Sequence, residues 1–319
     1  MKRHIAVHIL FVLLIALTIC SNLQALQGVR VAVSGLTAAS PGGAMLTSRH
    51  PGMFLGVTIL LELIVCLRLR GRGDRQSVAD VGCLLFFALL VWELIATTLR
   101  AGHPILCPPP EAVFDVFRSQ WKLMLRGMGS SLQLLGAGFA IALPLSLVLG
   151  ALAGWNRRFR GVTVPVARVM APVPAIIYAP YIIAIMPTFR SAAAMVIVLG
   201  IFWPAFLQTV NRVLAMDREI LDSARMLSLS SAEMIFQVLI PWMLPGVVVG
   251  LRVTLSTSFM LLILAEMMGA TSGLGYFIKN FADYANYTNV LAGIILVGCV
   301  VNVLNLIPAL LERYMKCWR

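Results

Sequence analysis

Residues 129–153 read GSSLQLLGAGFAIALPLSLVLGALA, a stretch of 25 residues without a charged side chain. A helix needs about 20 predominantly apolar residues to cross the hydrocarbon core of a bilayer. The chain has seven further segments of this kind, namely residues 5–25, 52–68, 79–99, 165–187, 190–210, 246–268 and 288–311. The sequence therefore predicts an all-α fold, a polytopic transmembrane helical bundle of about eight spans.

The composition favours a membrane protein over a soluble one. Of the 319 residues, 60% are hydrophobic and 12% are charged, whereas soluble domains have about 45–50% apolar and roughly 25% charged residues. The net charge of +12 would suggest nucleic-acid binding in a soluble protein. Here the basic residues lie at the ends of apolar segments, where they set membrane topology. We therefore expect the lipid bilayer as a partner and no nucleic acid.

Residues with metal-binding or catalytic chemistry show no recognised arrangement. The six cysteines include no CxxC pair, so we interpret them as packing residues rather than as a metal site or a disulfide framework. Neither HExxH nor GxSxG occurs, and the four histidines fall at the N-terminus and in predicted outside loops. The sequence predicts no catalytic residue and no metal ligand, and it disfavours an enzyme.

The distribution of basic residues predicts the orientation. With a cytoplasmic N-terminus, 17 of the 25 Lys and Arg residues lie inside and 8 lie outside, as the positive-inside rule requires. Both termini are then cytoplasmic, and so is the loop 211–245. The first segment also resembles a signal peptide, with a basic start and a polar end after the apolar stretch; we favour an uncleaved span.

The stretch 100–128 is predicted to be an external linker that carries an amphipathic helix. Three prolines, Pro108 to Pro110, precede apolar residues at helical spacing. These are Val113, Phe114, Phe117, Trp121 and Met124. A helix on the outer membrane surface and an ordinary packed loop helix both produce this spacing.

The loop 211–245 is predicted to hold two short capped helices. Asp217 can cap a helix over about 218–227, and Ser230 with Glu233 forms a capping box for a helix over about 231–239. Pro241 and Pro245 are expected to end the second helix. The apolar face of the first helix is Ile220, Leu221, Ala224 and Leu227. Such a helix pair is suited to dock on a soluble partner, although a loop packed on its own bundle has the same pattern.

The same loop resembles a motif of ATP-binding-cassette importers. Their membrane subunits carry an EAA loop of the form Glu-Ala-Ala-x3-Gly-x9-Ile-x-Leu-Pro. Here 222–224 (Asp-Ser-Ala), Ser228 and 238–241 (Val-Leu-Ile-Pro) fall at the same spacing. Asp and Ser replace the first Glu and Ala, and Ser228 stands where glycine is usual.

Further stretches extend the resemblance over about residues 107–319. They are PPPEAVFDVF (108–117), APVPAIIYAPYIIAIM (171–186), AEMMGATSGLGYFI (265–278) and LLERYMKCWR (310–319). Together they are similar to the nitrate/sulfonate/taurine group of importer permeases. The resemblance implies a permease core over 129–319, preceded by the spans of residues 1–99 as an addition of unknown role.

The resemblance also implies the partners. A cytoplasmic ABC ATPase dimer would bind ATP and Mg, an external or periplasmic solute-binding protein would deliver a small solute, and a second permease copy would complete the pathway, with a homodimer favoured. This chain has no cofactor of its own, because no lysine follows a glycine as a phosphate-binding loop requires. The ATPase-coupling residues would be Ile220, Leu221, Asp222, Ser223, Ala224, Leu227, Ser228, Leu229 and Pro241.

In the resembled family, the fifth and seventh segments line the pathway. The candidate residues are Tyr178, Tyr181, Thr254, Thr257, Ser258 and Glu266. Hydroxyl groups can solvate an anion transiently, and Glu266 matches a position that would hold an outer gate. The alternative for each is an ordinary hydrogen bond between helices.

Two acidic residues keep a second function class open. Glu62 and Glu93 lie within predicted spans, where a carboxylate is costly unless it is functional or paired. They can form the proton path of a secondary transporter that works without an ATPase. The other interpretation is that both face the bundle interior and bond to neighbouring helices.

Overall fold

The computed structural model describes residues 2–32, 52–70, 75–99 and 106–316, except for residues 218, 221–223, 225, 227 and 228. Within these ranges all regular elements are helices and none is a strand, which confirms the all-α fold. The first eight of these helices are α1 (Lys2–Ala32), α2 (Gly52–Arg70), α3 (Arg75–Glu93), α4 (Pro110–Ser119), α5 (Trp121–Trp155), α6 (Arg157–Met170), α7 (Ala179–Ile185) and α8 (Phe189–Leu214). They are followed by α9 (Ser231–Met267), α10 (Leu274–Asp283), α11 (Tyr287–Leu304) and α12 (Leu306–Lys316).

Six helical stretches in the described part of the chain are long and apolar enough to cross a membrane. They are Gly52–Arg70, Arg75–Thr97, Trp121–Trp155, Phe189–Leu214, Ser231–Met267 and Tyr287–Arg313. The sequence predicted about eight spans. Of the other two predicted spans, the first lies in α1, whose described apolar part is Ala6–Ser21, and the second is broken.

The broken span is the predicted segment 165–187. α6 and the helical stretch Ala175–Ile185 meet at an angle of 87°, so this predicted span is not one continuous helix. Pro172 and Pro174 lie in the break. Proline lacks an N–H donor and disfavours a helical conformation at the preceding residue, which explains why the chain turns here.

The predicted amphipathic helix of the linker is also two elements. α4 begins after Pro109 and ends at Ser119, and α5 then starts at Trp121, eight residues before the predicted span. α4 buries Val113 and Val116 together with the acidic side chains of Glu111 and Asp115.

The chain divides into two compact units. The first comprises Met1–Leu123 and Phe281–Ala292, and the second Met124–Asn280 and Gly293–Arg319. In the first unit, α1 to α4 enclose an apolar core of Val7, Leu14, Phe54, Ala79 and Phe86. The polar residue Ser21 is buried in the same unit, and its hydroxyl oxygen lies within hydrogen-bond distance of Glu93 Oε1 (3.0 Å) and Glu111 Oε1 (3.4 Å). Glu93 is thus inward-facing and hydrogen-bonded, as the structural interpretation of that residue expected.

In the second unit, α5 and α8 approach closely through glycines. An added Cβ at Gly138 would lie 2.5 Å from Ile197 Cγ2, one at Gly150 would lie 2.6 Å from Thr209 Cβ, and one at Gly154 would lie 2.5 Å from Val213 Cβ. Small residues allow this approach where helices pack in a membrane. Residues of α9 complete the core, among them Phe259 and Leu262.

Candidate translocation and coupling site

A cavity of about 460 Å³ lies in the second unit, between the α6–α7 connection, α8 and α9. Thr254 and Thr257 lie in its wall, together with the α8 residue Gln208. Most of the other lining residues are apolar, and none of the described residues in the wall is charged. The cavity therefore offers a few polar groups in an otherwise apolar enclosure, as small-molecule sites do.

The two threonines present oxygen lone pairs rather than protons to this cavity. Thr254 Oγ1 donates to the Gly250 carbonyl at 3.2 Å, and Thr257 Oγ1 donates to the carbonyls of Val253 and Thr254, both at 3.0 Å. Each hydroxyl proton is therefore directed to the backbone of α9. A solute that needs hydrogen-bond donors must find them elsewhere in the wall.

Gln208 supplies such donors, and sequence reasoning missed it. Its amide group offers two N–H donors. Gly250 makes room for this side chain, because an added Cβ there would lie 3.0 Å from Gln208 Oε1. The signal in the sequence was a lone amide within the apolar segment 190–210.

Three predicted pathway residues lie away from the wall. Ser258 is buried and donates to the Thr254 carbonyl at 2.6 Å. The Tyr178 hydroxyl points to Met170 Sδ at 4.0 Å, and Tyr181 is 76% exposed. The structure does not place these residues on the cavity wall with Thr254 and Thr257. The bend before α7 accounts for the positions of the two tyrosines, because the sequence predicted one span over residues 165–187 and did not reveal the bend.

Glu266 is at the other end of α9, where it caps α10. Its Oε1 accepts from Ser131 Oγ at 2.7 Å, and its Oε2 accepts from the Gly275 N–H at 2.8 Å. Ser131 Oγ in turn accepts from the Leu274 N–H at 2.9 Å. These bonds satisfy N–H groups that a helix N-terminus leaves free. Gly273 has φ of +128°, and a Cβ there would lie 2.3 Å from Glu266 Cδ, so only glycine fits.

The loop 211–245 combines predicted and unpredicted features. The capping box is confirmed, since Ser230 Oγ accepts from the Glu233 N–H at 3.3 Å and Glu233 Oε2 accepts from the Ser230 N–H at 2.8 Å. The helix that it opens does not end at Pro241 as predicted; it continues through Pro241 and Pro245 as α9. A π-helical turn at Met234–Leu239 lies just before Pro241, with only Ile240 between them. This turn shifts the hydrogen-bond register, so the missing N–H of proline is tolerated.

The described part of the predicted apolar face of the first loop helix packs on its own chain. Ala224 is buried among Met234, Ile235 and Leu239 of α9, with Ile220 packed against the same cluster. This packing agrees with the alternative interpretation of the loop, in which it packs on its own bundle. Leu229 is partly buried against the cluster and Pro241 is exposed. Leu221, Asp222, Ser223, Leu227 and Ser228 lie outside the described residues.

Met226 was not predicted and is 87% exposed. It follows Ala224 by two residues, which corresponds to about 200° around a helix. It therefore lies on the side opposite to the buried contact. A large exposed apolar side chain at this position is available to a partner.

Comparison with known proteins places this geometry in context. Over 257 residues the chain is 28% identical to the putative aliphatic sulfonates transport permease protein SsuC of Bacillus subtilis, covering 78% of this chain and 92% of the relative. It is 25% identical to the taurine transport system permease protein TauC of Escherichia coli, covering 79% and 94%. It is 26% identical to the nitrate import permease protein NrtB of Leptolyngbya laminosa, covering 81% and 90%.

These coverages exceed the two thirds of the chain that lie between Cys107 and the C-terminus. The similarity therefore begins before Cys107, and it is longer than the range 107–319 over which the sequence motifs indicated a resemblance. Among solved structures, the inward-facing MetNI methionine ABC transporter matches with a TM-score of 0.51 and 20% identity, covering 61% of this chain and 97% of that chain. This match supports the helical permease fold.

Residues 143–316 match the family described as "Binding-protein-dependent transport system inner membrane component". The matched region runs from the middle of α5 to the end of α12, and it includes the cavity wall, the loop 211–245 and Glu266. It covers more than half of the chain. The chain accordingly belongs to this family of ABC importer permeases, multi-pass membrane subunits of transporters rather than enzymes.

Proposed function

We propose that this permease moves a small oxyanion of the nitrate, sulfonate or taurine kind across the cytoplasmic membrane. The observation that carries the proposal is the position of the cavity beside Gln208, Thr254 and Thr257 in the family-matched part of the chain. The names of the relatives SsuC, TauC and NrtB support the same solute class.

The residues that line the cavity are compatible with an anionic solute. No described lining residue is acidic, so no carboxylate repels a negative solute. The Gln208 amide can donate hydrogen bonds to an oxyanion, whereas an uncharged wall binds it weakly enough to release it. Passage and release both need such moderate contacts.

The proposed assembly contains two copies of this chain, a cytoplasmic ATPase pair and an external solute-binding protein. ATP and Mg would be bound by the ATPase subunits. Val253 and Met260 are exposed on α9 beside the cavity, and a second copy would cover them. The inside position of the loop 211–245 and of both termini rests on the distribution of 17 basic residues inside and 8 outside.

The transport proposal is tested by uptake in cells that express the chain with its cognate ATPase and binding protein. We expect uptake of labelled nitrate or taurine that depends on ATP hydrolysis. Co-purification of the ATPase separates this mechanism from a secondary transporter. Uptake driven by an ion gradient, with no ATPase in the purified complex, would refute it.

Gln208 provides the first prediction. Gln208→Leu removes the amide donors and is expected to lower anion uptake about tenfold, because a hydrogen bond to a charged group is worth roughly 1.5–3 kcal/mol. Gln208→Glu should lower it at least as much, since its charge repels the solute. Initial uptake rates at equal protein level provide the measurement. The exposed Gln76 of the first unit serves as control, because it lies outside the unit that contains the cavity and Gln76→Leu is expected to leave uptake unchanged. Normal uptake by Gln208→Glu would show that the solute is not an anion bound here.

Met226 provides the second prediction. We expect Met226→Glu to reduce the ATPase recovered in a pull-down about tenfold, because a charge then enters a desolvated contact near the loop. Met226→Leu, which keeps the apolar character, should retain the ATPase. Ala224→Glu should instead lower the amount of folded permease, since Ala224 is buried in the chain's own cluster. If Met226→Glu recovers a normal amount of ATPase, Met226 is not part of the docking surface.

A further inference from the structure

Three side chains of the first unit meet between α1 and α2. His8 Nδ1 contacts Glu62 Oε1, and Cys66 Sγ donates to the same oxygen at 3.7 Å. Glu62 and Cys66 are four residues apart on α2 and so share one face. Together the three side chains offer a nitrogen, an oxygen and a sulfur atom within 4.8 Å of one another.

This donor set suits a borderline divalent cation. Zn²⁺ binds histidine nitrogen, carboxylate oxygen and cysteine sulfur at about 2.0–2.3 Å, which places tetrahedral ligands about 3.3–3.7 Å apart. The contact between Cys66 and Glu62 already has this separation, and His8 has only to withdraw from Glu62 to admit an ion. Mg²⁺ and Ca²⁺ prefer ligand sets made of oxygen alone.

Glu62 carries a further sign of an incomplete site. Its side chain is 12% exposed, and its Oε2 is buried without a hydrogen-bond partner among the described residues. A carboxylate oxygen in an apolar helix bundle is unfavourable unless it is paired. His8 satisfies only Oε1, and a cation bound beside Glu62 would satisfy both oxygens.

The cluster is accessible from one membrane face. His8 follows the start of α1 by six residues, which corresponds to about 9 Å along the helix. Cys66 precedes the end of α2 at Arg70 by four residues, or about 6 Å. The His8 side chain is 47% exposed, so an ion can approach from that side.

We propose that His8, Glu62 and Cys66 form a binding site for a borderline divalent cation such as Zn²⁺. Three protein ligands leave the fourth coordination position to water. On binding, the metal–sulfur bond replaces the S–H bond of Cys66, and the proton goes to solvent. The ion then links α1 to α2. The sequence interpretation of the cysteines missed this site because His8 and Glu62 are 54 residues apart in the chain.

The test uses the full-length protein, purified in detergent with an affinity tag that contains no histidine. Titration with Co²⁺ should produce a thiolate-to-metal absorption band that saturates at one ion per chain, and Zn²⁺ should displace it. His8→Gln, Glu62→Gln and Cys66→Ser are each expected to weaken binding at least about tenfold. Cys20→Ser on α1, a matched and exposed thiol, should leave binding unchanged.

The variants also separate a ligand role from a folding role. Size-exclusion elution of each variant reports folding, and Cys66→Ser changes a single atom. Absence of the thiolate band in the unmodified protein would refute the site. So would Cys66→Ser with unchanged Co²⁺ affinity, or loss of the band in Cys20→Ser instead. Loss of the band in well-folded His8→Gln and Cys66→Ser would establish it.

Discussion

Gly150→Leu is expected to eliminate folded permease from the membrane, whereas Gly136→Leu on the same helix is expected to leave it unchanged. A Cβ at Gly150 would lie 2.6 Å from Thr209 Cβ and 3.1 Å from the Phe206 carbonyl oxygen, and the latter atom belongs to the α8 backbone. A leucine there forces α5 and α8 apart, at a cost of about 3 kcal/mol, the upper end of the usual range for overpacking. At Gly136 an added Cβ meets nothing within 4 Å.

The measurement is the monodisperse fraction of detergent-extracted protein on size exclusion. Gly154→Leu should behave like Gly150→Leu, because its Cβ would lie 2.5 Å from Val213 Cβ. Both members of the control pair replace glycine by leucine within α5, so helix propensity changes equally in each. Equal yields of Gly150→Leu and Gly136→Leu would show that α5 and α8 do not pack through these glycines.

Glu266→Ala is expected to destabilise the permease strongly and to abolish uptake. The substitution removes the acceptors of two buried donors, the Ser131 hydroxyl and the Gly275 N–H. Each unsatisfied buried donor costs about 1–3 kcal/mol, and α10 also loses its cap. Glu266→Gln keeps one acceptor oxygen, so its stability should lie between that of Glu266→Ala and that of the unmodified protein.

Thermal unfolding in detergent measures the effect, with Glu312→Ala on α12 as a control for loss of a carboxylate at a partly exposed position. Ser131→Ala offers a second check, because it removes both the acceptor of the Leu274 N–H and the hydroxyl that donates to Glu266 Oε1. A melting temperature of Glu266→Ala equal to that of the unmodified protein would refute the capping role. Normal stability with lost uptake would instead favour an outer gate at Glu266.

Local signals in the sequence were sufficient for most helices. Uncharged runs such as 129–153 marked α5, and Ser230 with Glu233 marked the capping box because both partners lie within one turn. Proline was harder to interpret. Pro172 and Pro174 break a predicted span, whereas Pro241 lies inside a continuous helix because a π-helical turn precedes it.

The site depended more on contacts between distant parts of the chain. Helical spacing placed Thr254 and Thr257 near each other, but it also placed Ser258 with them. Only the packing of α9 against its neighbours decides which of these side chains line the cavity, and Ser258 does not. Burial of Ala224 depends on residues 234–239 of another helix. The meeting of His8 with Glu62 depends on the pairing of α1 with α2, which no local pattern reveals.

The continuity of α9 has a mechanical consequence. Its 37 residues extend from Ser231 in the loop to Met267, beside the Glu266 cap, and correspond to about 55 Å of helix. The end of the loop, the cavity wall residues Thr254 and Thr257, and the Glu266 cap thus lie on one continuous helix. A tilt of its loop end therefore also displaces Thr254 and Thr257. The π-helical turn at Met234–Leu239 is the position at which α9 can bend.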